Sequence, residues 1–327
     1  MTDISIVICA YTEKRWEDLN AAVDSVLRQT VPAAEIIIVI DHNSALFERT
    51  KQAFGPRSAS LTIVENANTR GLSGARNTGI LASHSDVIAF IDEDAMAAPD
   101  WLARIGAAYA DPKLMAVGGS IAPQWMTSRP TWFPDEFNWV VGCTYRGMPE
   151  TRASIRNLIG CNMSIRRSVF DTVGGFRNGI GRVGTLPVGC EETELCIRAR
   201  QQLPEYTIVY DPAIQVYNHR VPGSRANWRY FWSRCYAEGI SKALVSQFVG
   251  QRDSLASELR YTLKTLPKGA LRGIGDTLRG DLSGLGRSFA IVSGLALTVA
   301  GVGVGLLSVL FKATSINTET FVTKQPA

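Results

Sequence analysis

Four short runs of β-branched and aliphatic residues, alternating with segments of helical periodicity, constrain this chain more than any other feature. Ile4-Ser-Ile-Val-Ile-Cys-Ala10, Glu35-Ile-Ile-Ile-Val-Ile-Asp41, Leu61-Thr-Ile-Val-Glu65 and Val87-Ile-Ala-Phe-Ile91 read as nearly continuous apolar blocks. That is the pattern of strands covered on both faces. Between the first two, Trp16 to Gln29 repeats Leu19, Val23, Val26 and Leu27 on one face, and Leu72 to Ser83 reads as a helix before the fourth strand. A parallel α/β sheet follows, with ligands expected beyond the carboxyl ends of its strands. A dinucleotide-binding dehydrogenase would need glycines directly after the first strand, but Ala10-Tyr11-Thr12-Glu13 stands there and no Gly occurs before position 55.

Composition narrows the class. The 327 residues suffice for one large domain or two small ones, and 46% hydrophobic against 20% charged residues excludes disorder. A net charge of +4 lacks the dense basic stripe of a nucleic-acid binder, so no nucleic-acid partner is expected. An anionic small substrate or membrane surface suffices. Six cysteines, at 9, 143, 161, 190, 196 and 235, form no CxxC pair, which argues against a disulfide framework and a zinc cluster. No charged n-region or long h-region precedes Ile4, so no secretory signal is read and the catalytic part is expected in the cytoplasm.

From Gly118 to Tyr217 the pattern loosens, with Pro123, Pro130, Pro134 and Pro149 around Trp125, Trp132, Phe133 and Trp139, as in long loops over an acceptor site. Asn227 to Val249 is helical again, and Leu255, Leu259, Leu263 and Leu266 form a stripe ending at Pro267. Phe289 to Phe311 holds 23 residues without a charge, and a helix of that length spans about 35 Å, enough for a hydrocarbon core of ~30 Å. A membrane helix is expected, although Gly294, Gly301, Gly303 and Gly305 would also permit a re-entrant or surface-lying hairpin. Lys264, Lys268, Arg272, Arg279 and Arg287 precede it against Asp276 and Asp281, and only Lys312 and Lys324 follow, so the large N-terminal part is expected on the cytoplasmic side. Trp228, Tyr230, Phe231, Trp232 and Tyr236 among Arg225, Arg229, Arg234 and Lys242 suit a helix at headgroup level; packing on the catalytic domain is the other reading. The expected units are a catalytic domain over 1–225 (1–117 for the nucleotide, 118–225 for the acceptor), amphipathic basic helices over 226–287, a transmembrane or membrane-embedded segment over 288–312 and a tail over 313–327. The Gly301/Gly305 face offers a seam for a homo-oligomer.

Two acidic clusters carry the chemistry. Asp92 and Asp94 project to one side where the fourth strand stops, and two carboxylates there can hold Mg²⁺ or Mn²⁺; a solvated acidic turn is the alternative. Glu191-Glu192-Thr193-Glu194 opens a helix marked by Leu195, Ala199 and Leu203, which puts the acids near the positive dipole end, with Glu194 set to pair Arg198.

The opening strand with Cys9-Ala10-Tyr11, Ser25-Val-Leu-Arg-Gln-Thr30, Ile40-Asp41, the Gly71 to Gly79 stretch, Asp92-Glu-Asp94, Gly160-Cys-Asn-Met163, Gly174-Gly-Phe176 and Glu191-Glu-Thr-Glu194 occur in an order that resembles the family 2 glycosyltransferases. The resemblance covers residues 4 to about 220. It implies a GT-A fold, a Rossmann-like mixed sheet flanked by helices, and a metal-dependent, inverting transfer from a nucleotide-diphosphate sugar, with a UDP-sugar as the expected donor, to a hydroxyl of a lipid-linked glycan or glycolipid at the membrane. A soluble or polysaccharide acceptor, or a non-catalytic adaptor retaining the fold, are the alternatives. The implied nucleotide-site residues are Ala10, Tyr11, Glu13, Asp41, Arg70, Arg76, Asp92 and Glu93, with Arg76-Asn77 equally readable as a packing pair. Asp94, Asp92 and His219 are the implied ligands of Mn²⁺ or Mg²⁺, a lone His being readable as structural too. Glu192 stands where the family has Asp as its base, so Glu191 remains a second choice. Asn162 and Trp132 are assigned to the acceptor or sugar.

Overall fold

The structure, a computed structural model, describes residues 2–180, 189–250 and 260–312. The four apolar runs form β1 (Ile4–Ala10), β2 (Glu35–Ile40), β3 (Leu61–Glu65) and β4 (Val87–Asp92), joined by α1 (Trp16–Leu27), α2 (Ser44–Phe54) and α3 (Leu72–Ala82). They lie parallel in the order β3-β2-β1-β4. The chain therefore winds outward from β1 and then crosses to its other side, opening a crevice at the carboxyl ends of β1 and β4. The apolar runs are buried on both faces. Ile6, Ile8, Ile36, Ile38, Ile40, Ala89 and Ile91 enter one core, while Val7, Ile37, Val39, Ile88 and Phe90 enter the other. Each large aliphatic so buried contributes ~1.5–3 kcal/mol.

The second half is more regular than the loops expected there. β5 (Met96–Ala97), α4 (Trp101–Ala108), β6 (Leu114–Trp125), β7 (Ala153–Ser154), β8 (Asn162–Arg166), α5 (Arg167–Val173), α6 (Glu191–Gln202) and β9 (Thr207–Val221) extend the sheet as β4-β8-β6-β9-β5, with β7 on β9. β8 runs antiparallel to both β4 and β6, and β6 runs parallel to β9, so the sheet is mixed. Register shifts at Gly119/Ser120 and Ile121/Pro123 break the period-two pattern of β6. Such bulges bend a strand and hide it from periodicity.

Three C-terminal helices follow among the described residues: α7 (Trp228–Val249), α8 (Leu266–Leu278) after a π-helical turn at Tyr261–Thr265, and α9 (Ser283–Lys312). Two expectations are corrected here. Pro267 does not end a helix; it sits in the first turn of α8, directly after the π-helical turn. Of the leucine stripe, Leu255 and Leu259 lie outside the described residues, as does the tail over 313–327 with Lys324, whereas Leu266 is buried and Leu263 exposed.

Nor is α7 the surface helix its composition suggests. Phe231 is wholly buried against Phe133 and Phe137, and Trp228 stacks on Trp132 at 3.8 Å. α9 packs along α7, from Phe289 beside Trp228 to Gly305 beside Ala243. A Cβ on Gly301 would overlap the carbonyl of Tyr236, so the Gly301/Gly305 face is filled by the chain's own helix and is not open to a second copy. On its other side α9 exposes Val292, Val299, Val304 and Leu307, and α8 exposes Leu271, Ile274 and Leu278. One helix among the described residues, over Ser283–Ser308, is long and apolar enough to cross a membrane.

Gly301→Leu is expected to destabilise the protein by ~1–3 kcal/mol through overpacking of the α7–α9 seam. A lowered Tm at unchanged sedimentation mass is the expected result; an unchanged Tm with a change of mass would return this face to a second copy.

Candidate active site

A cavity of about 920 Å³ opens at the carboxyl ends of β1 and β4 and runs from Tyr11 and Asp41 past Asp92 and Glu191 to α7 and α9. At its first end, Asp41 follows β2 and receives hydrogen bonds from Asn66 Nδ2 at 2.6 Å and Gly71 N at 3.0 Å. It thereby ties β2 to the loop that carries Arg70, which is exposed and lines the cavity with Ala10 and Tyr11. Glu13 turns away toward Arg49, at 3.9 Å, and is not part of the cavity wall.

β4 ends at Asp92, so Glu93 and Asp94 belong to a turn and strand alternation does not extend to them. Both still face the cavity. Arg15 Nη1 meets Glu93 at 2.7 Å and Asp94 at 2.9 Å. Burial raises the Glu93 carboxyl to about 7, with Arg15 opposing it and Asp94 reinforcing it. β9 brings His219 within 3.5 Å of Asp94, and Arg220 N donates to the Asp94 carbonyl at 2.9 Å, fixing the two chains side by side.

Donor atoms of Asp92, His219 and Cys161 lie within 4.8 Å of one another. The imidazole Nε2 of His219 is buried without a hydrogen-bond partner. His219 Nδ1, not the orphaned Nε2, stands beside the Asp94 carboxylate, and with Asp92 it makes a nitrogen-and-carboxylate donor set that fits a hard divalent cation. Burial holds the Cys161 thiol far above its ordinary value, so it stays protonated beside that pair.

Arg76 joins the two acidic clusters. It lies buried on α3, with Nη1 2.9 Å from Glu191 Oε1, Nη2 3.5 Å from Asp92 Oδ1, and its guanidinium 5.4 Å from the Phe176 ring. A Cβ on Gly160 would overlap this guanidinium, which accounts for glycine there. Asn77 is the packing member of the pair: its amide accepts from Phe176 N and donates to Phe176 O, both at 2.8 Å. α6 starts at Glu191, so the acids stand in its first turn as the sequence pattern predicts. Glu191 is ion-paired with Arg76. Glu192, partly exposed to the cavity, is pushed up to about 8 by burial and by the charge of Glu191, against the pull of Arg76. Glu194 is wholly buried between Arg177 and Arg198, a structural pair.

Asn162 and Trp132 are not brought to this cavity. Asn162 accepts from Trp101 Nε1 and donates to the Ser120 and Ile214 carbonyls, so its amide is spent on holding β6, β9 and α4 together. Trp132 is committed to its stack on Trp228. Sequence reasoning missed Arg15, Cys161 and Arg234, which reach the cavity only through non-local packing. The three described non-glycine residues with positive φ, His42, Cys190 and Asn218, each directly precede or follow a site residue (Asp41, Glu191, His219). Such strained positions cluster at functional sites, but nothing in a Cys or His codes for them locally.

Residues 5–174 match glycosyl transferase family 2. The chain is 36% identical over 243 residues to a glucosyl-dolichyl phosphate glucuronosyltransferase of Haloferax volcanii, covering 74% of this chain and 77% of that protein. It is 35% identical to an uncharacterized glycosyltransferase, EpsJ, of Bacillus subtilis over 28% of this chain and 26% of that one. Among solved structures it is similar to a mannosyltransferase from Pyrobaculum calidifontis in complex with GDP-Man and Mn²⁺, at a TM-score of 0.61 and 16% identity, covering 94% and 89% of the two chains. The chain belongs to glycosyl transferase family 2 and has the GT-A fold.

Arg76→Gln is expected to cost ~3–5 kcal/mol, the penalty for leaving Glu191 buried without its partner. Chemical denaturation measures it. Arg76→Lys should recover only part, since one ammonium cannot face Asp92 and Glu191 as the planar fork does; equal stability of all three proteins would remove Arg76 from this role.

Proposed function

We propose that the protein is an inverting glycosyltransferase that moves a sugar from a nucleotide-diphosphate sugar, a UDP-sugar by this reading, to a hydroxyl of a lipid-linked glycan or glycolipid at the cytoplasmic membrane face. The observation that carries it is the Asp92–Arg76–Glu191 bridge, which sets a cation-competent carboxylate and a raised-pKa acid, Glu192, on one cavity. Asp41, Arg70 and the Ala10-Tyr11 backbone receive the nucleotide in this reading. Asp92 and His219, with Asp94 beside them, would hold Mn²⁺ or Mg²⁺, which when bound neutralises charge on a leaving diphosphate. Glu192 takes the acceptor O–H proton, the freed oxygen pair forms a bond to the anomeric carbon, and the bond from that carbon to the diphosphate oxygen breaks, its electrons leaving with the nucleoside diphosphate. One base suffices for this single displacement.

Lipid presentation is supported from two sides. The Haloferax relative is named for a dolichyl phosphate-linked glucose, and the apolar outer faces of α8 and α9 adjoin the exposed Lys264 and Lys268. In this reading α9 lies along the membrane plane. Its inner face is packed on α7, whose Arg234, Glu238 and Lys242 line the cavity, and carrying that helix through hydrocarbon would strand those charges. The basic rim suits the anionic cytoplasmic leaflet.

Glu192→Gln should keep UDP binding and lose transfer by ~10²–10⁴-fold. Because the base must be ionised, wild-type kcat/KM should rise with pH along a limb centred near about 8, the raised value of Glu192. Glu191→Gln should move that limb to lower pH by removing a negative neighbour. An active Glu192→Gln with a dead Glu191→Gln would swap the two roles.

Val299→Lys/Leu307→Glu, both on the exposed face of α9, should release the protein from anionic vesicles in flotation assays while leaving Tm unchanged. Undiminished flotation would exclude this face as the membrane contact.

A further inference from the structure

The ladder between β4 and β8 ends at the pair Ile91–Asn162. One step beyond it, Cys161 comes opposite Asp92, the last residue of β4. β9 delivers His219 to the same place, its Nδ1 3.7 Å from Cys161 Sγ and 3.5 Å from Asp94 Oδ1. Donor atoms of Asp92, Cys161 and His219 thus lie within 4.8 Å of one another, with the thiol and the imidazole buried and all three residues on the cavity wall. The ordinary account of Cys161 is a small core side chain that donates a weak hydrogen bond to the imidazole. That account covers the sulfur–nitrogen contact alone. It does not require a carboxylate at the same two atoms.

Four-coordinate ions bound through sulfur, nitrogen and oxygen at ~2.0–2.3 Å have their donor atoms about 3.3–3.8 Å apart. The distances from His219 Nδ1 to Cys161 Sγ and to Asp94 Oδ1 have that length as they stand. Asp92 is partly exposed and the terminal torsion of an aspartate is soft, so its oxygen can close the remaining gap. We infer that Cys161 is a thiol ligand of the divalent cation at this site, and that it makes the site select Zn²⁺ and Co²⁺ over Mg²⁺ and Mn²⁺. The inference rests on the proposed reading of Asp92 and His219 as a cation site and adds a third, softer donor to it. A carboxylate and an imidazole alone suit the harder ions, whereas sulfur favours the softer ones. As the sulfur–metal bond forms, the S–H bond breaks, its electron pair becomes the donor pair and the proton passes to solvent. The ligands come from the end of β4, the residue before β8, and β9, so no cysteine spacing along the chain announces the site.

The test titrates the full chain with Co²⁺ while its absorption is followed, and measures Zn²⁺ and Mn²⁺ affinities by calorimetry, each with and without UDP. One equivalent of Co²⁺ should raise a thiolate-to-metal charge-transfer band in the near ultraviolet, and Zn²⁺ should abolish it by displacement. Cys161→Ser should remove the band, whereas Cys143→Ser, at a second buried thiol, should retain it. Removing a group that only supports a metal ligand costs ~10–100-fold in affinity, so Cys161→Ser should weaken Zn²⁺ by about tenfold or more. Mn²⁺ affinity should stay nearly unchanged. A band that survives Cys161→Ser, or an unchanged Zn²⁺ affinity, overturns the ligand. If Cys161→Ser fails to fold, His219→Gln, which keeps the thiol and removes the nitrogen, must diminish the same band; an unchanged band places the sulfur elsewhere and overturns the ligand equally. Mn²⁺ binding without any Co²⁺ band overturns the thiol ligand and leaves the functional reading standing, while a wild type that binds none of these ions fells both. A band that depends on Cys161 in a protein that transfers no sugar would fell the functional reading and leave the ligand standing.

Discussion

A guanidinium buried between two carboxylates is the constraint on which this architecture depends. Taking Arg76 out of water is costly, and the cost is offset only if its fork is met by charges of good geometry. Glu191 and Asp92 supply them. The two come from different halves of the chain, Asp92 from the end of β4 and Glu191 from the first turn of α6. The ion pairs therefore join the parallel N-terminal half of the sheet to the half that follows it and fix the direction of each acid. Gly160 and Phe176 follow as consequences, the first leaving room for the guanidinium and the second flooring it with a ring face.

The apolar C-terminal helices are part of the same body. Phe231 of α7 and Ala290 and Ile291 of α9 lie in the core cluster that includes Ile6 and Ile38 of the central strands. Glycines at 239, 301 and 305 let α7 and α9 approach to backbone contact, as small residues do wherever helices must pack closely. Inner and outer faces of α9 then do different things. The inner face shields the α7 ion pairs and closes the cavity; the outer face is free to meet hydrocarbon. The exposed apolar face of α9 and the cleft are coupled through one packed seam.

What was legible in the sequence follows from how locally each feature is encoded. β1 to β4 were readable because burial on both faces demands uninterrupted β-branched runs, and the acids at their ends stood out against those runs. β6 and β9 were not, since Gly118, Gly119, Pro123 and Pro212 interrupt them at bulges that only the neighbouring strands explain. The same split governs the site. Asp41, Asp92, Glu191 and Glu192 could be placed from strand and helix termini, whereas Trp132 and Asn162, conspicuous in sequence, are spent on packing. Arg234 lay among aromatics that suggested a lipid surface. Only the burial of Phe231, one turn earlier on the same helix, turns that cation inward.

Adjacent glutamates acquire opposite characters from a single asymmetry. Arg76 forms its ion pair with Glu191, 2.9 Å away, while Glu192 feels burial and a negative neighbour against only the more distant pull of Arg76. Both effects disfavour a charge on Glu192 and make its carboxylate a stronger base than an exposed glutamate. The helix dipole at the start of α6 and the Arg76 field oppose this and keep ionisation within reach of neutral pH. A backbone hydrogen bond at the head of α6 pulls the Glu192 carboxyl in the same direction. The pairing partner of its neighbour, more than the identity of the acid itself, sets the two carboxyls apart.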